Sequence, residues 1–215
     1  MQCTRILLVR HGETAWNAEG RMQGHLDIPL NATGRAQAER VAEALAASEA
    51  IDAIFSSDLV RVSATAQPLA KRSGAPLSLL QGLRERHLGA FQGRTLVEVR
   101  SQWPDDADRW RSRDPGWAPP EGGEALHQFQ QRISDAIIEL ATRHLGQCVA
   151  VFTHGGALDI IYRLATDQDL QAPRTWALAN AAINRLMWTP DAGLRLVGWA
   201  DTTHLRAGAL DESSA

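Results

Sequence analysis

The chain has 215 residues, 44% hydrophobic, 22% charged and 6% aromatic, a usage that excludes a disordered or fibrous protein and supplies a full hydrophobic core. A formal charge of −3 offers no global positive field, so neither nucleic acid nor an acidic membrane surface is an expected partner. Among 22 basic residues only Lys71 is a lysine, which removes mechanisms that need a phosphate-binding or Schiff-base lysine elsewhere.

Taken in chain order, Arg5 to Val9 is a short apolar run of the kind buried on both faces in a parallel sheet. Thr33 is placed to cap a helix whose stripe holds Ala38, Val41 and Leu45. Ile51 to Phe55 reads as a second strand. Beyond it, Ser57 or Asp58 caps another helix, with Arg61 in or beside the first turn. The stretch 101–123 carries four prolines and Trp103, Trp110 and Trp117, and reads as an excursion over the sheet's edge or mouth. Leu126, Phe129, Ile133, Ile137 and Leu140 mark an amphipathic helix that stops near Gly146. Cys148 to Phe152 is a third buried strand, and a helix with Leu158, Ile161 and Leu164 follows Gly156. Finally Ala182–Trp188 and Leu194–Ala200 flank a Pro-led turn and read as a hairpin.

Strands alternating with helices predict an α/β fold in one domain over 1–215, with 206–215 as a frayed tail. Cys3 and Cys148 make neither a disulfide framework nor a zinc cluster, which fits a reducing cytoplasm. No run approaches a membrane span or a signal peptide, and a soluble, unprocessed protein is expected.

Two strand ends match. The first runs into Arg10-His11-Gly12-Glu13-Thr14 and the third into Thr153-His154-Gly155-Gly156. Ligands of open α/β sheets bind at the carboxyl ends of strands, where a His-Gly pair leaves backbone and ring open to approach. A lone strand-end histidine is ordinarily a satisfied core residue; two in matching surroundings, with Arg10 and Arg61 alongside, point to a pocket for a dianionic phosphoryl group.

These residues resemble the histidine phosphatase superfamily, the phosphoglycerate-mutase-like proteins. The likeness runs from Leu8-Val9-Arg10-His11-Gly12-Glu13-Thr14 with Trp16-Asn17, through Gln23-Gly24, Asp27 to Leu30 and Thr33-Gly34, to Ser56–Arg61 with Thr65-Ala66. It continues in Leu83–Gly93, Gly122-Gly123-Glu124, Thr153–Gly156 and Asp201 with His204-Leu205. The resemblance implies a three-layer α/β/α sandwich with a mainly parallel sheet. It implies His11 as a nucleophile that becomes phosphohistidine, with its other ring nitrogen donating to a backbone carbonyl. Arg10, Arg61 and His154 would clamp the phosphoryl oxygens, and a partly desolvated Glu85 would protonate the leaving alkoxide and later activate water. Thr14, Asn17, Gln23, Gly24 and Gly155 are implied as further phosphate contacts. Arg86 is either a contact for a second anionic group on the substrate or a solvated surface charge.

The activity implied is a metal-independent phosphatase acting on a small phosphorylated metabolite, without cofactor; separately from the resemblance, a monomer or homodimer is expected. The alternative is a phosphoglycerate mutase primed by 2,3-bisphosphoglycerate. Gln92 follows the mutase form of its motif, whereas the short 94–123 region and Thr153–Gly156 follow the phosphatase form; a short cover admits water to a phosphoenzyme. A catalytically idle binding protein of the same fold is the further alternative, yet His11, Arg61, Glu85 and His154 are all present. Metal-dependent phosphoesterase, cysteine-phosphatase and Walker signatures are missing from the sequence. Asn180 is placed to hold a loop near the site, and His25, His127 and His144 are expected to face solvent.

Overall fold

In the computed structural model, which describes residues 2–206, the apolar run that opens the chain forms the middle of β1 (Thr4–Arg10). There follow α1 (Ala15–Ala18), α2 (Ala32–Ser48), β2 (Ala53–Ser56), α3 (Val60–Ser73) and β3 (Leu77–Leu79). Then come α4 (Leu96–Gln102), α5 (Pro104–Arg111), α6 (Leu126–Arg143), β4 (Cys148–Thr153), α7 (Gly155–Ala165), β5 (Ile183–Thr189) and β6 (Gly193–Asp201). The expected frayed tail lies outside the described residues from 207 onward.

The six strands form one sheet in the order β3-β2-β4-β1-β5-β6. The four from β3 to β1 run parallel, while β5 and β6 add the antiparallel hairpin. Alternation along β1 separates the layers. Ile6 and Leu8 pack with α6 and α7, and Leu7 and Val9 with α2 and α3. Every residue of β4 is buried, because helices cover both faces. The result is a three-layer α/β/α sandwich.

Several local expectations are corrected. Asn31, not Thr33, caps α2, accepting from Gly34 N at 2.8 Å. At α3 neither Ser57 nor Asp58 caps: Val60 N donates to Asp27 Oδ1 at 2.7 Å, and Asp58 is held instead by Arg84 at 2.6 and 2.7 Å. The helix α7 starts at Gly155 rather than beyond Gly156. The edge strand β3 was not legible, since two of its three residues are exposed.

The 101–123 excursion belongs to a small roof built by α4, α5 and the turns after them. Phe91, fully buried, is its centre, with the rings of Trp103, Trp110 and Trp117 between 5.6 and 6.2 Å away. Packing and roofing are therefore one arrangement. Among the described residues no helix is long and apolar enough to cross a membrane.

Candidate active site

The carboxyl ends of β1 and β4, the start of α3 and the N-terminus of α7 converge under the roof on a cleft of about 640 Å³. Its wall includes Arg10, His11, Arg61, Glu85, Arg86 and Gly155. The sequence motifs thus meet in one place.

His11 follows the last residue of β1 and is 3% exposed. Its Nδ1 lies 2.8 Å from the Gly12 carbonyl oxygen, which only accepts, so Nδ1 carries the proton and Nε2 keeps a lone pair. The backbone there is tied down from three sides. Gly12 N donates to Thr65 Oγ1 at 3.0 Å, His11 N to Thr153 O at 3.0 Å, and Asn180 Nδ2 to His11 O at 2.9 Å. A Cβ on Gly12 would stand 2.5 Å from the Gly34 carbonyl oxygen, so only glycine lets β1 and α2 meet here. Burial, then the charges of Arg10 and Arg61, hold the imidazole well below its ordinary value of 6.5 and keep it neutral.

Arg61, on the first turn of α3, is 1% exposed. It donates to Gly24 O and Leu26 O, both at 2.8 Å, and its Nη2 is 3.2 Å from His154 Nδ1. A guanidinium only donates, so His154 Nδ1 accepts and Nε2 carries the proton toward Ser57 Oγ at 2.9 Å. His154 itself is fully buried behind the cleft wall, edge-on to His11 with centroids 5.4 Å apart. Arg10 donates Nη1 to Leu178 O. The Nε groups of Arg10 and Arg61 are buried donors with no partner among the described residues. Burial pushes Arg61 down to about 10 and also lowers Arg10. Two desolvated cations with unused donors form a place for an anion.

Glu85 stands across the cleft. Its Oε1 accepts from Arg86 N and its Oε2 from Gly156 N, each at 2.8 Å. The loop that carries it is clamped by Arg132 of α6, which donates to the carbonyls of Gly82 (3.0 Å), Arg84 (2.9 Å) and Glu85 (3.1 Å) and pairs with Glu124. Arg86 is 6% exposed, which corrects the surface-charge reading. It donates to Glu124 O at 2.7 Å and Trp117 O at 3.0 Å, and its guanidinium carbon is 5.3 Å from the Trp110 ring centroid.

Residues 6–202 match the histidine phosphatase superfamily (branch 1). The chain belongs to this superfamily. It is 38% identical over 205 residues to the metal-independent phosphoserine phosphatase of Arabidopsis thaliana, covering 95% of this chain and 84% of that protein. It is 37% identical over 202 residues to phosphoglycerate mutase-like protein 4 of the same plant, covering 93% and 86%. The solved structure of Bacillus stearothermophilus YhfR superposes with a TM-score of 0.86 at 31% identity, covering 94% and 99% of the two chains.

Within this histidine phosphatase, the remaining expected site residues divide. Asn17, Gln23 and Gly24 line the cleft. Thr14 does not: fully buried, it caps α1 by accepting from Asn17 N at 3.1 Å. His154 likewise lies outside the lining, with both ring nitrogens engaged. His25 is only partly exposed, its Nε2 2.7 Å from Glu85 O, and His144, also partly exposed, packs on Phe55; of the three only His127 is exposed as expected, with its Nδ1 2.8 Å from Pro115 O. Reading by sequence missed Arg113, Asp159 and Arg174 in the cleft wall, and Arg132 behind Glu85. Arginines scattered over loops and helix ends carry no periodic signal. Among the described residues no group of three or more His, Cys, Asp or Glu could hold a metal.

Proposed function

We infer that this histidine phosphatase hydrolyses a small-metabolite phosphomonoester through a phosphohistidine at His11, without metal. The observation that carries the reading is the fixed His11 tautomer: Nε2 presents its lone pair beside two buried guanidiniums with unused Nε donors.

The phosphoryl group lies against Arg10 and Arg61, whose charges stabilise the equatorial oxygens as negative charge gathers there. His11 Nε2 forms a bond to phosphorus as the bond to the ester oxygen breaks, and protonated Glu85 gives its proton to that oxygen. The alcohol leaves. Glu85, now a carboxylate, takes a proton from water; the resulting hydroxide oxygen bonds to phosphorus, the N–P bond breaks, and inorganic phosphate departs with His11 neutral again. Asn17, Gln23 and the Gly24 backbone serve as further contacts. His154 acts through Arg61, which it orients as a hydrogen-bond acceptor, and through its edge contact with His11. The guanidiniums supply the positive charge that a metal supplies in other phosphoesterases, which supports a cofactor-free reaction.

The test is phosphate release from a panel of metabolite monophosphates with chelator present, run beside conversion of 3-phosphoglycerate to 2-phosphoglycerate. Phosphate release, loss of it in His11→Ala, and a trapped phosphate adduct on His11 by mass spectrometry are expected. Rapid interconversion without phosphate release would make the enzyme a mutase, and full activity in His11→Ala would end the mechanism.

A further inference from the structure

We propose that His25 is a positioning residue: it ties the loop that carries Glu85 to the loop that orients Arg61, and so sets where the proton donor stands relative to the phosphoryl clamp. The proposal rests on the phosphatase reading for the role of Glu85.

The segment 23–26 lies between the two halves of the site. On one side, Gly24 O and Leu26 O accept from the Arg61 guanidinium, each at 2.8 Å. On the other, the residue between those two carbonyls turns its ring to the acid loop, with His25 Nε2 2.7 Å from Glu85 O. A carbonyl only accepts, so Nε2 carries the proton, and it does so in this neutral tautomer and in the imidazolium alike. The main chain of the same residue is also held. His25 N donates to Gln92 Oε1 at 2.7 Å, and a Cβ on Gly24 would stand 2.3 Å from that oxygen, so the Gln92 amide packs directly against the turn.

A partly buried loop histidine is ordinarily filler, and the edge contact of His25 with the His87 ring, centroids 4.9 Å apart, fits that reading. Filler does not require a short bond to the backbone of the residue that must meet the leaving oxygen. Glu85 O is gripped from two sides, since Arg132 of α6 donates to it at 3.1 Å. Arg132 fixes the loop to the scaffold behind it. Only His25 fixes it to the segment that touches Arg61: among the described residues, no other side chain of 23–26 bonds to the loop 81–86. While the phosphoryl oxygens rest on Arg61, the ester oxygen must fall within reach of the Glu85 carboxyl. The His25 bond sets that span. Its loss misplaces the proton donor without loosening the clamp, and matters only where the leaving oxygen needs a proton.

The experiment compares steady-state kinetics on an alkyl phosphate and on p-nitrophenyl phosphate for the parent, His25→Leu, His25→Gln and His25→Asn, beside Glu85→Gln. His25→Leu should lower kcat on the alkyl ester by about 10- to 100-fold, the scale of a displacement near 1 Å. Its kcat on the nitrophenyl ester, KM for both esters and inhibition by inorganic phosphate should stay near the parent values, because Arg61 keeps its two carbonyls. His25→Gln, whose amide nitrogen reaches about as far as Nε2, should restore most of the loss; His25→Asn, one bond shorter, should not. That comparison stands by itself if His25→Leu fails to fold. Equal losses on the two esters in His25→Leu, undiminished alkyl turnover, or indistinguishable Gln and Asn variants overturn the positioning role while leaving Glu85 as the acid. Equal losses on the two esters in Glu85→Gln are a separate result, which removes the proton-donor reading and the inference with it.

Discussion

Gly156 donates its backbone N–H to Glu85 Oε2 at 2.8 Å, and a Cβ at position 156 would lie 2.2 Å from Glu85 Oε1. The start of α7 and the Glu85 carboxylate, the proposed general acid, are thus one unit. His154, the N-cap residue, makes no side-chain bond to the helix backbone, and Glu85 caps the helix in its place. Gly156→Ala pushes the carboxylate off its position. Since a displacement near 1 Å can cost about 100-fold, kcat on alkyl phosphates should fall by one to two orders of magnitude with little change in KM. Steady-state kinetics at matched helicity by circular dichroism read this; a kcat within twofold of the parent would contradict it.

A proton donor matters only when the leaving oxygen needs a proton. Glu85→Gln should lower kcat on an alkyl phosphate by about 10²- to 10⁴-fold. The loss on p-nitrophenyl phosphate should be much smaller, because nitrophenolate leaves unprotonated. Arg132→Met, which frees the Glu85 loop while touching no substrate, should give the same leaving-group dependence in weaker form. Equal losses on both esters would remove Glu85 from the proton-transfer role.

The parts of this site that were legible in the sequence are those that sit on apolar strand runs. His11 and His154 are placed by β1 and β4, whose burial dictates where the strands end. What was not legible depends on contacts between distant segments. The cap of α3 comes from Asp27, thirty-three residues away, so Ser57 and Asp58, the local candidates, misled. Arg86 looked equally suited to solvent or substrate until the Trp110 and Trp117 rings closed over it. Thr14 carries a hydroxyl in the right motif, but the hydroxyl is spent on α1. The convergence of Arg113, Arg132 and Arg174 is set by tertiary packing alone.

The two buried histidines give stability a pH dependence of known sign. Burial first, then neighbouring arginines, hold His11 and His154 well below 6.5 in the native state. The unfolded chain titrates near the ordinary value, so as pH falls below about 6.5 it binds protons that the native state refuses. Their contribution is full above that value and is lost as pH falls from 6.5 toward the depressed native values, by up to about 1.4 kcal/mol per pH unit for each histidine. The urea midpoint should therefore drop between pH 7.5 and 5.5. His11→Asn should make the dependence shallower whatever it does to the absolute stability; an unaltered slope would show that His11 is not held neutral.

Asp159 and Arg163 form an ion pair one helical turn apart on α7, with side chains 6% and 1% exposed, and Arg113 of the roof joins the same carboxylate at 2.6 Å. Removing the carboxylate leaves Arg163 buried and uncompensated, a loss of about 3–5 kcal/mol for a broken buried pair. At roughly 2–4 °C per kcal/mol for a chain of this size, Asp159→Ala should lower Tm by about 6–20 °C. Arg113 loses its anchor in the same step, so KM should rise as the roof loosens over the cleft. The exposed pair Arg143–Glu139, at 73% and 57% exposure, is the internal control, and Glu139→Ala should move Tm by no more than about 2–3 °C. Comparable shifts in the two variants would mean that the Asp159 network does not hold the roof to α7.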